Sequence, residues 1–419
     1  MMNRRLILLL GALFSVFLLN AQKTAGKKVV FVIADGIPAD IIERLQPPAI
    51  FEIAGNAGFK RAIMGGRVGE YSETPTISAV GYNCLLTGTW SNKHNVVDNR
   101  IEEPNYNYYT IFRLFKEAYP KKKIAVYSTW EDNRTKLIGE GLPATGRIKM
   151  DYYFDGLEKD TVLYPHDNES NYIKRIDEAV AKAAAETMAK HGPDLNWVYL
   201  QYTDDIGHKY GDSKKMDSAV LYADMLIGKI YEAVRYRISN FHEDWMVIIT
   251  TDHGRDAVTG KGHGGQSERE RSIWIATNAN DLNEYFHRAI PTMVDIMPTM
   301  ARHLDIDIPA DKQFELDGVP LIGKVSLFNP RAQFTSKGEL LVTWESLGTD
   351  GNVKISVSET DNFKTGGRDE YILLGETSLN FCSFKVPFKG VEGKKYKIVL
   401  EGKDNTVNVQ TEYTNNNQE

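Results

Sequence analysis

Three continuous apolar runs in this chain each end in acidic residues: "KKVVFVIADG" at 27–36, "NWVYLQYTDD" at 196–205 and "WMVIITTDHG" at 245–254. A strand that is apolar on both of its faces needs cover on both sides, and parallel sheets sandwiched between helices supply it. A fourth run, "KKIAVYST" at 122–129, has the same texture. Between the runs lie segments with apolar residues at helical spacing, 171–192 and 214–238. The alternation predicts an α/β sandwich with a mostly parallel central sheet. Ligands of open α/β sheets bind beyond the C-terminal ends of the strands. Side chains far apart in sequence, at 35, 204–205 and 252–253, are therefore expected to converge there.

The two ends of the chain read differently. Residues 1–21, "MMNRRLILLLGALFSVFLLNA", combine Arg4 and Arg5 with an apolar stretch at 6–19 and a small-residue site near Ala21. This pattern predicts a cleaved signal peptide, hence export to the periplasm or outside the cell with no stable membrane anchor afterwards. Residues 22–325 form the predicted α/β domain. From 326 to 419 short alternating segments such as "ELLVTWES", "NVKISVSE" and "TVNVQTEY" are separated by turn residues. They predict a small β-sandwich domain of fibronectin type III-like character, with the boundary at 323–329. The two cysteines, Cys84 and Cys382, fall in different predicted domains, which excludes a disulfide framework. A formal net charge of −6 and the lack of any Lys/Arg run give no support to a nucleic-acid-binding surface.

Asp and His residues cluster at the predicted strand ends: Asp35, then Asp204 and His208 in "TDDIGHKYG", Asp252 and His253 in "TDHG", and His263 in "GHGG". Only nine His occur in the chain, and three lie in these glycine-flanked strings. Carboxylate and imidazole are usual zinc ligands, and six such groups suffice for two ions. Paired metals suit phosphoryl displacement, in which attacking and leaving oxygens both need stabilising. A lone Asp-Gly is more often a turn, and a lone His more often a loop residue. The ordered series carries the signal.

That series, with a hydroxyl before "LLTG", resembles the alkaline phosphatase superfamily. Within it the chain is most similar to the type I phosphodiesterase/nucleotide pyrophosphatase branch, over roughly residues 27–322. The resemblance implies two Zn2+ ions, one bound by Asp204, His208 and His263 and the other by Asp35, Asp252 and His253. It implies a Ser or Thr nucleophile that also meets the metals. The stretch "TPTISAVGYNCLLTG" at 74–88 offers Thr74, Thr76 and Ser78. In the phosphodiesterase branch the nucleophile precedes the Thr of "TG" by nine residues, and 87 − 9 gives Ser78. An oxyanion-binding Asn follows it by 21, and 78 + 21 gives Asn99. Ser78 also opens a predicted helix, whose positive end favours a bound phosphate.

The implied activity is hydrolysis of phosphate diesters or pyrophosphates, on a small phosphorylated substrate, through a phosphoserine at Ser78. An alkaline phosphatase-type monoesterase is the alternative. Sulfatase, phosphotransferase and non-catalytic binding readings rank lower, because "SAVGY" lacks the sulfatase pattern and the ligand series is intact. At the place where monoesterases carry a Lys-x-Arg pair, this chain reads "TWEDNRTK". Arg134 matches the Arg, Asp132 stands in place of the Lys, and Trp130 supplies an aromatic group, so Arg134 and Trp130 are the candidate substrate contacts.

Overall fold

A computed structural model describes residues 26–348 and 350–414. The expected signal peptide lies outside the described residues. A seven-stranded sheet has the order β2-β7-β6-β1-β5-β3-β4. Its strands are β1 (Lys27–Ala34), β2 (Phe59–Ile63), β3 (Ile124–Ser128), β4 (Tyr152–Phe154), β5 (Leu195–Leu200), β6 (Asp244–Thr250) and β7 (Ser272–Thr277). β6, β1, β5, β3 and β4 run parallel, while β7 pairs antiparallel with β6 and β2 antiparallel with β7. The four apolar runs are all strands of this sheet, which is mostly parallel as the sequence predicts.

Alternation along β1 explains its composition. Val29, Phe31 and Ile33 join one buried cluster, together with Ala79 and Leu86 of the Ser78–Thr87 helix and Met297 and Met300 of the Ile296–His303 helix. Val30, Val32 and Ala34 join a second cluster with residues of the Asn171–His191 and Lys214–Phe241 helices. Successive side chains of a strand point to opposite faces, so a strand buried on both sides is apolar throughout. Each such fully buried Val or Ile contributes about 2 kcal/mol of transfer free energy.

β1 is hydrogen-bonded to β5 on one side and β6 on the other. Three strand ends therefore lie side by side: Ala34, Leu200 and Thr250 each stop where the acidic strings begin. Ligands of such sheets bind beyond these C-terminal strand ends.

The C-terminal region holds β8 (Leu327–Phe334), β9 (Glu339–Ser346), β10 (Asn352–Ser358), β11 (Ile372–Ser378), β12 (Ser383–Pro387), β13 (Lys395–Glu401) and β14 (Thr406–Glu412). They form two antiparallel sheets, β12-β9-β8 and β11-β10-β13-β14. β8 has no clear sequence signature because it contains Pro330, which sits at a register shift between Phe328 and Arg331 on an edge strand, where a missing N–H is tolerated. This region grips the α/β unit through a buried Lys93, whose Nζ donates to Glu315 O (2.8 Å), Asp317 Oδ1 (2.6 Å) and Asn408 Oδ1 (2.9 Å). Cys84 and Cys382 are free thiols.

Candidate active site

Asp35 caps the end of β1, where backbone and side-chain bonds lock three strings together. Thr203 Oγ1 donates to Asp35 O at 2.6 Å, Gly36 N to Asp252 Oδ1 at 3.0 Å, and Ile37 N to Thr251 Oγ1 at 2.9 Å. Asp35 Oδ2 accepts from Tyr199 Oη at 2.6 Å and from Tyr82 Oη. Its other oxygen, Oδ1, is buried with no hydrogen-bond partner, and so is Asp252 Oδ2. Both face His253 Nε2, at 3.4 and 3.3 Å. His253 Nδ1 lies 2.9 Å from Gly254 O. A carbonyl only accepts, so the ring hydrogen sits on Nδ1 and Nε2 presents a lone pair.

Three buried acceptor groups, two carboxylates and an imidazole nitrogen, thus converge. Such a group is costly in a low-dielectric interior unless a proton or a cation compensates it. Burial, with the charges of Asp252 and Asp204 adding to it, pushes the Asp35 carboxyl well above the usual range, and burial pushes Asp252 up to about 7. The donor set, two carboxylates and an imidazole, fits a divalent metal ion.

A second group adjoins the first. The ligand atoms of Asp204, His253 and His263 lie within 4.8 Å of one another, as do those of Asp35, Asp252 and His253. His208 Nε2 is 3.3 Å from Asp204 Oδ2 and 3.0 Å from His263 Nε2. The rings of His253 and His263 stack at 3.6 Å. His263 Nδ1 lies 2.8 Å from Thr76 O, so its Nε2 also presents a lone pair to the cluster. All six Asp and His residues picked out in the sequence meet at one place, with His253 central to both groups. Burial raises the Asp204 carboxyl, but the His208 contact and the Arg255 guanidinium outweigh it and hold Asp204 below the ordinary range. The neighbouring Asp205 turns away and accepts from Ser170 Oγ and Gln201 Nε2, each at 3.0 Å.

Sequence reasoning missed Arg255, which is fully buried. Its Nε donates to Gly36 O (2.9 Å), Nη1 to Lys261 O (3.1 Å) and Nη2 to Asp204 O (2.9 Å). One guanidinium therefore ties all three strand-end strings together. It packs so tightly on the helix Tyr202–Tyr210 that a Cβ on Gly207 would lie 2.1 Å from Arg255 Cζ. Its position directly after "TDHG" was the available signal. Tyr82 and Tyr199 were also missed, because aromatic residues in apolar runs read as packing.

The three hydroxyls of the 74–88 stretch separate clearly. Thr74 Oγ1 donates to Ser72 O (2.9 Å) and accepts from Ser91 N (3.2 Å). Thr76 Oγ1 donates to Gly265 O (2.8 Å) and accepts from Gly264 N (2.9 Å), which fastens the His263 loop. Ser78 Oγ alone faces the cluster, 3.4 Å from His253 Nε2. Ser78 is the first residue of its helix, with Ile77 in the cap position, so it is not simply a capping serine. Asn99 Oδ1 accepts from Ala79 N at 2.9 Å, which leaves the Nδ2 hydrogens as the donors Asn99 can offer.

Ser78 and Asn99 line a cleft of about 320 Å³ whose wall includes Trp130, Glu158, His166 and Tyr172. Trp130 stands where the sequence suggested a substrate contact. Arg134 does not line the cleft. Its Nε donates to Asp155 Oδ2 (2.6 Å), its Nη1 to Glu140 Oε2 (2.5 Å) and its Nη2 to Asp155 Oδ1 (2.9 Å). With two carboxylates compensating its charge, Arg134 is a buttress of the segment and not a phosphate clamp.

The family model for type I phosphodiesterase/nucleotide pyrophosphatase matches residues 29–292, more than half of the chain and a range that includes all six Asp and His residues of the cluster. The chain belongs to this family. Among curated members, venom phosphodiesterase CdcPDE of Crotalus durissus collilineatus is 26% identical over 192 residues, which cover 44% of this chain and 22% of that protein. Venom phosphodiesterase of Naja atra is 24% identical over 192 residues. The chain thus spans about a fifth of the length of these curated relatives. Among solved structures, phosphonate monoester hydrolase of Agrobacterium radiobacter superposes with a TM-score of 0.50 at 12% identity, covering 92% of this chain and 89% of that one. This likeness extends the shared fold beyond the nucleotide pyrophosphatase branch. Murine ectonucleotide pyrophosphatase/phosphodiesterase 5 superposes with a TM-score of 0.48 at 14% identity, over 68% of this chain and 96% of that one.

Proposed function

We propose that the chain is an exported, zinc-dependent phosphodiesterase that works through a phosphoserine on Ser78. One observation carries the reading. Ser78 Oγ, at the start of a helix, lies 3.4 Å from His253 Nε2, beside carboxylate oxygens of Asp35 and Asp252 that have no other partner. Asp35, Asp252 and His253 would hold one zinc ion, and Asp204, His208 and His263 the other. When bound, the ions would polarise the phosphoryl oxygens and lower the pKa of the Ser78 hydroxyl.

The chain's own groups supply the rest. Ser78 loses its proton to solvent in the cleft, and its oxygen attacks phosphorus in line. The bond to the departing alcohol breaks as the O–P bond to Ser78 forms, and the alcohol oxygen takes a proton from water. Asn99 Nδ2 donates to a non-bridging oxygen whose charge rises in the transition state. The dipole of the Ser78–Thr87 helix favours the same charge. The phosphoserine intermediate is still esterified to the second alcohol. Water then attacks its phosphorus, and Ser78 recovers its proton as the phosphate monoester of that alcohol leaves.

Family membership supports phosphoester chemistry. The engagement of Arg134 with Asp155 and Glu140 favours a diester over a monoester, because among the described residues no lysine or arginine lines the cleft to hold a second phosphate charge. Export rests on the sequence of residues 1–21. Among the described residues no helix is long and apolar enough to cross a membrane. The decisive experiment measures bound metal together with kcat/KM on bis(p-nitrophenyl) phosphate, p-nitrophenyl phosphate and an aryl sulfate. About two zinc ions per chain and a preference for the diester are expected. A preference for the monoester or the sulfate, or full activity in the metal-stripped protein, overturns the reading.

A further inference from the structure

Asp177 is a buried carboxylate that lies outside both the Asp/His cluster and the cleft. It sits on the Asn171–His191 helix and is 2% exposed. Its Oδ1 accepts from Thr129 Oγ1 at 2.6 Å and from Gln201 N at 3.0 Å, and its Oδ2 from Tyr202 N at 2.9 Å. All three donors are neutral. Two of them are backbone groups of the turn that opens the Tyr202–Tyr210 helix.

The first N–H groups of a helix have no partner within it, and the residue just before the helix normally caps them with its side chain. Here that residue is Gln201, whose side chain makes no capping bond. Its amide donates to Asp205 Oδ2 instead. Asp177, 24 positions earlier in the chain, supplies the cap from a neighbouring helix. The positive end of the helix favours a carboxylate in this place.

The capped helix is the one that carries Asp204 and His208. Asp204 lies in its first turn and His208 one turn further on. Asp204 N donates to Gln201 O at 2.9 Å, so the place where Asp177 holds Gln201 and Tyr202 fixes where both ligands stand. Arg255 fastens the same turn through Asp204 O. The fold also contains a matched comparison. Asp224, 3% exposed on the Lys214–Phe241 helix, accepts from Ala49 N at 3.1 Å and from Ile50 N at 2.8 Å. It caps the Pro48–Ala54 helix in the same manner, and that helix carries none of the six Asp and His residues.

We propose that Asp177 is a positioning residue for the metal site of Asp204, His208 and His263: by capping the helix that carries two of these ligands, it sets the affinity for the ion held there and leaves the Asp35, Asp252 and His253 site unchanged. The inference rests on the two-zinc reading above. Asparagine has nearly the same size as aspartate but only one accepting oxygen, and its NH2 group would face a backbone donor. Asp177→Asn therefore loosens the cap without emptying the space. Groups that orient a metal ligand typically govern affinity by about 10–100-fold.

The test measures zinc per chain against a chelator series, with thermal midpoints, for wild type, Asp177→Asn, Thr129→Val and Asp224→Asn. In Asp177→Asn one of the two ions is expected to bind about 10–100-fold more weakly and the other as in wild type. Its kcat/KM should recover when zinc is supplied in excess. Asp224→Asn is expected to lower the thermal midpoint comparably and to leave both zinc affinities unchanged. Thr129→Val, which removes one donor from the cap, is expected to weaken the same ion by a smaller factor, and it decides the question if Asp177→Asn does not fold. Wild-type affinity for both ions in the deciding variant, or an equal loss of zinc in Asp177→Asn and Asp224→Asn, overturns the positioning role and leaves the phosphodiesterase reading standing. A wild-type protein that binds no zinc overturns the zinc reading and the positioning role with it.

Discussion

Ala79 donates its backbone N–H to Asn99 Oδ1 at 2.9 Å, although the two are 20 residues apart. The bond fixes which end of the Asn99 amide is turned toward the cleft. Asn99→Asp keeps an acceptor for Ala79 N and removes both donors, so it isolates the donor role. It is expected to lower kcat for a diester by about 10²–10³-fold, the usual loss when one oxyanion donor is removed. The thermal midpoint should move little, because Asn99 is exposed. A kcat within threefold of wild type would refute the role.

Ser78 and Thr76 are two residues apart and have different environments. Ser78→Ala is expected to abolish turnover while zinc stays bound, because Asp35, Asp252 and His253 remain. Thr76→Ala is expected to weaken zinc binding about tenfold and to retain the chemistry, because the Thr76 hydroxyl holds Gly264 and Gly265 beside His263. Thr76→Ser should restore the affinity. Activity that survives in Ser78→Ala and dies in Thr76→Ala would move the nucleophile to Thr76.

Much of this site was legible in sequence for a physical reason. Strands of a parallel sheet end together, so Asp35, Asp204 and Asp252 had to converge once the apolar runs were read as neighbours in one sheet. The parts that were not legible depend on side chains whose type does not announce their role. Arg134 reads as a phosphate clamp until Asp155, 21 positions away, is seen to bind it. Tyr82 and Tyr199 look like core aromatics, and only the fold shows both hydroxyls on one carboxylate oxygen. β8 was hidden because its bulge breaks the two-residue alternation on which strand reading depends.

Those tyrosines give the third prediction. By occupying Asp35 Oδ2, Tyr82 and Tyr199 orient the carboxylate so that Oδ1 faces His253. Groups that orient a metal ligand typically govern affinity by about 10–100-fold. Tyr199→Phe is expected to weaken zinc binding within that range in a chelator competition, and Tyr82→Phe,Tyr199→Phe to weaken it further. Zinc affinity equal to wild type in the double variant would show that backbone bonds alone position Asp35.

The last prediction concerns His94, fully buried behind the Ser78–Thr87 helix. Val96 N donates to its Nδ1 at 3.1 Å, so Nε2 carries the hydrogen and points at Cys84 Sγ, 3.3 Å away. Burial lowers its pKa to about 3, against about 6.5 in an unfolded chain. Between these values the unfolded chain binds a proton that the folded protein refuses, so stability rises with pH. The contribution is complete above about pH 6.5 and is lost progressively as pH falls toward 3. Each pH unit within this window is worth about 1.4 kcal/mol, or about 2 kcal/mol between pH 6.5 and pH 5. His94→Asn keeps an acceptor for Val96 N and has nothing to titrate. Urea unfolding of wild type and variant across pH 7 to 5 should give a wild-type curve steeper by that amount, whatever the variant's absolute stability. Parallel curves would mean that His94 accepts its proton without the buried contacts opening.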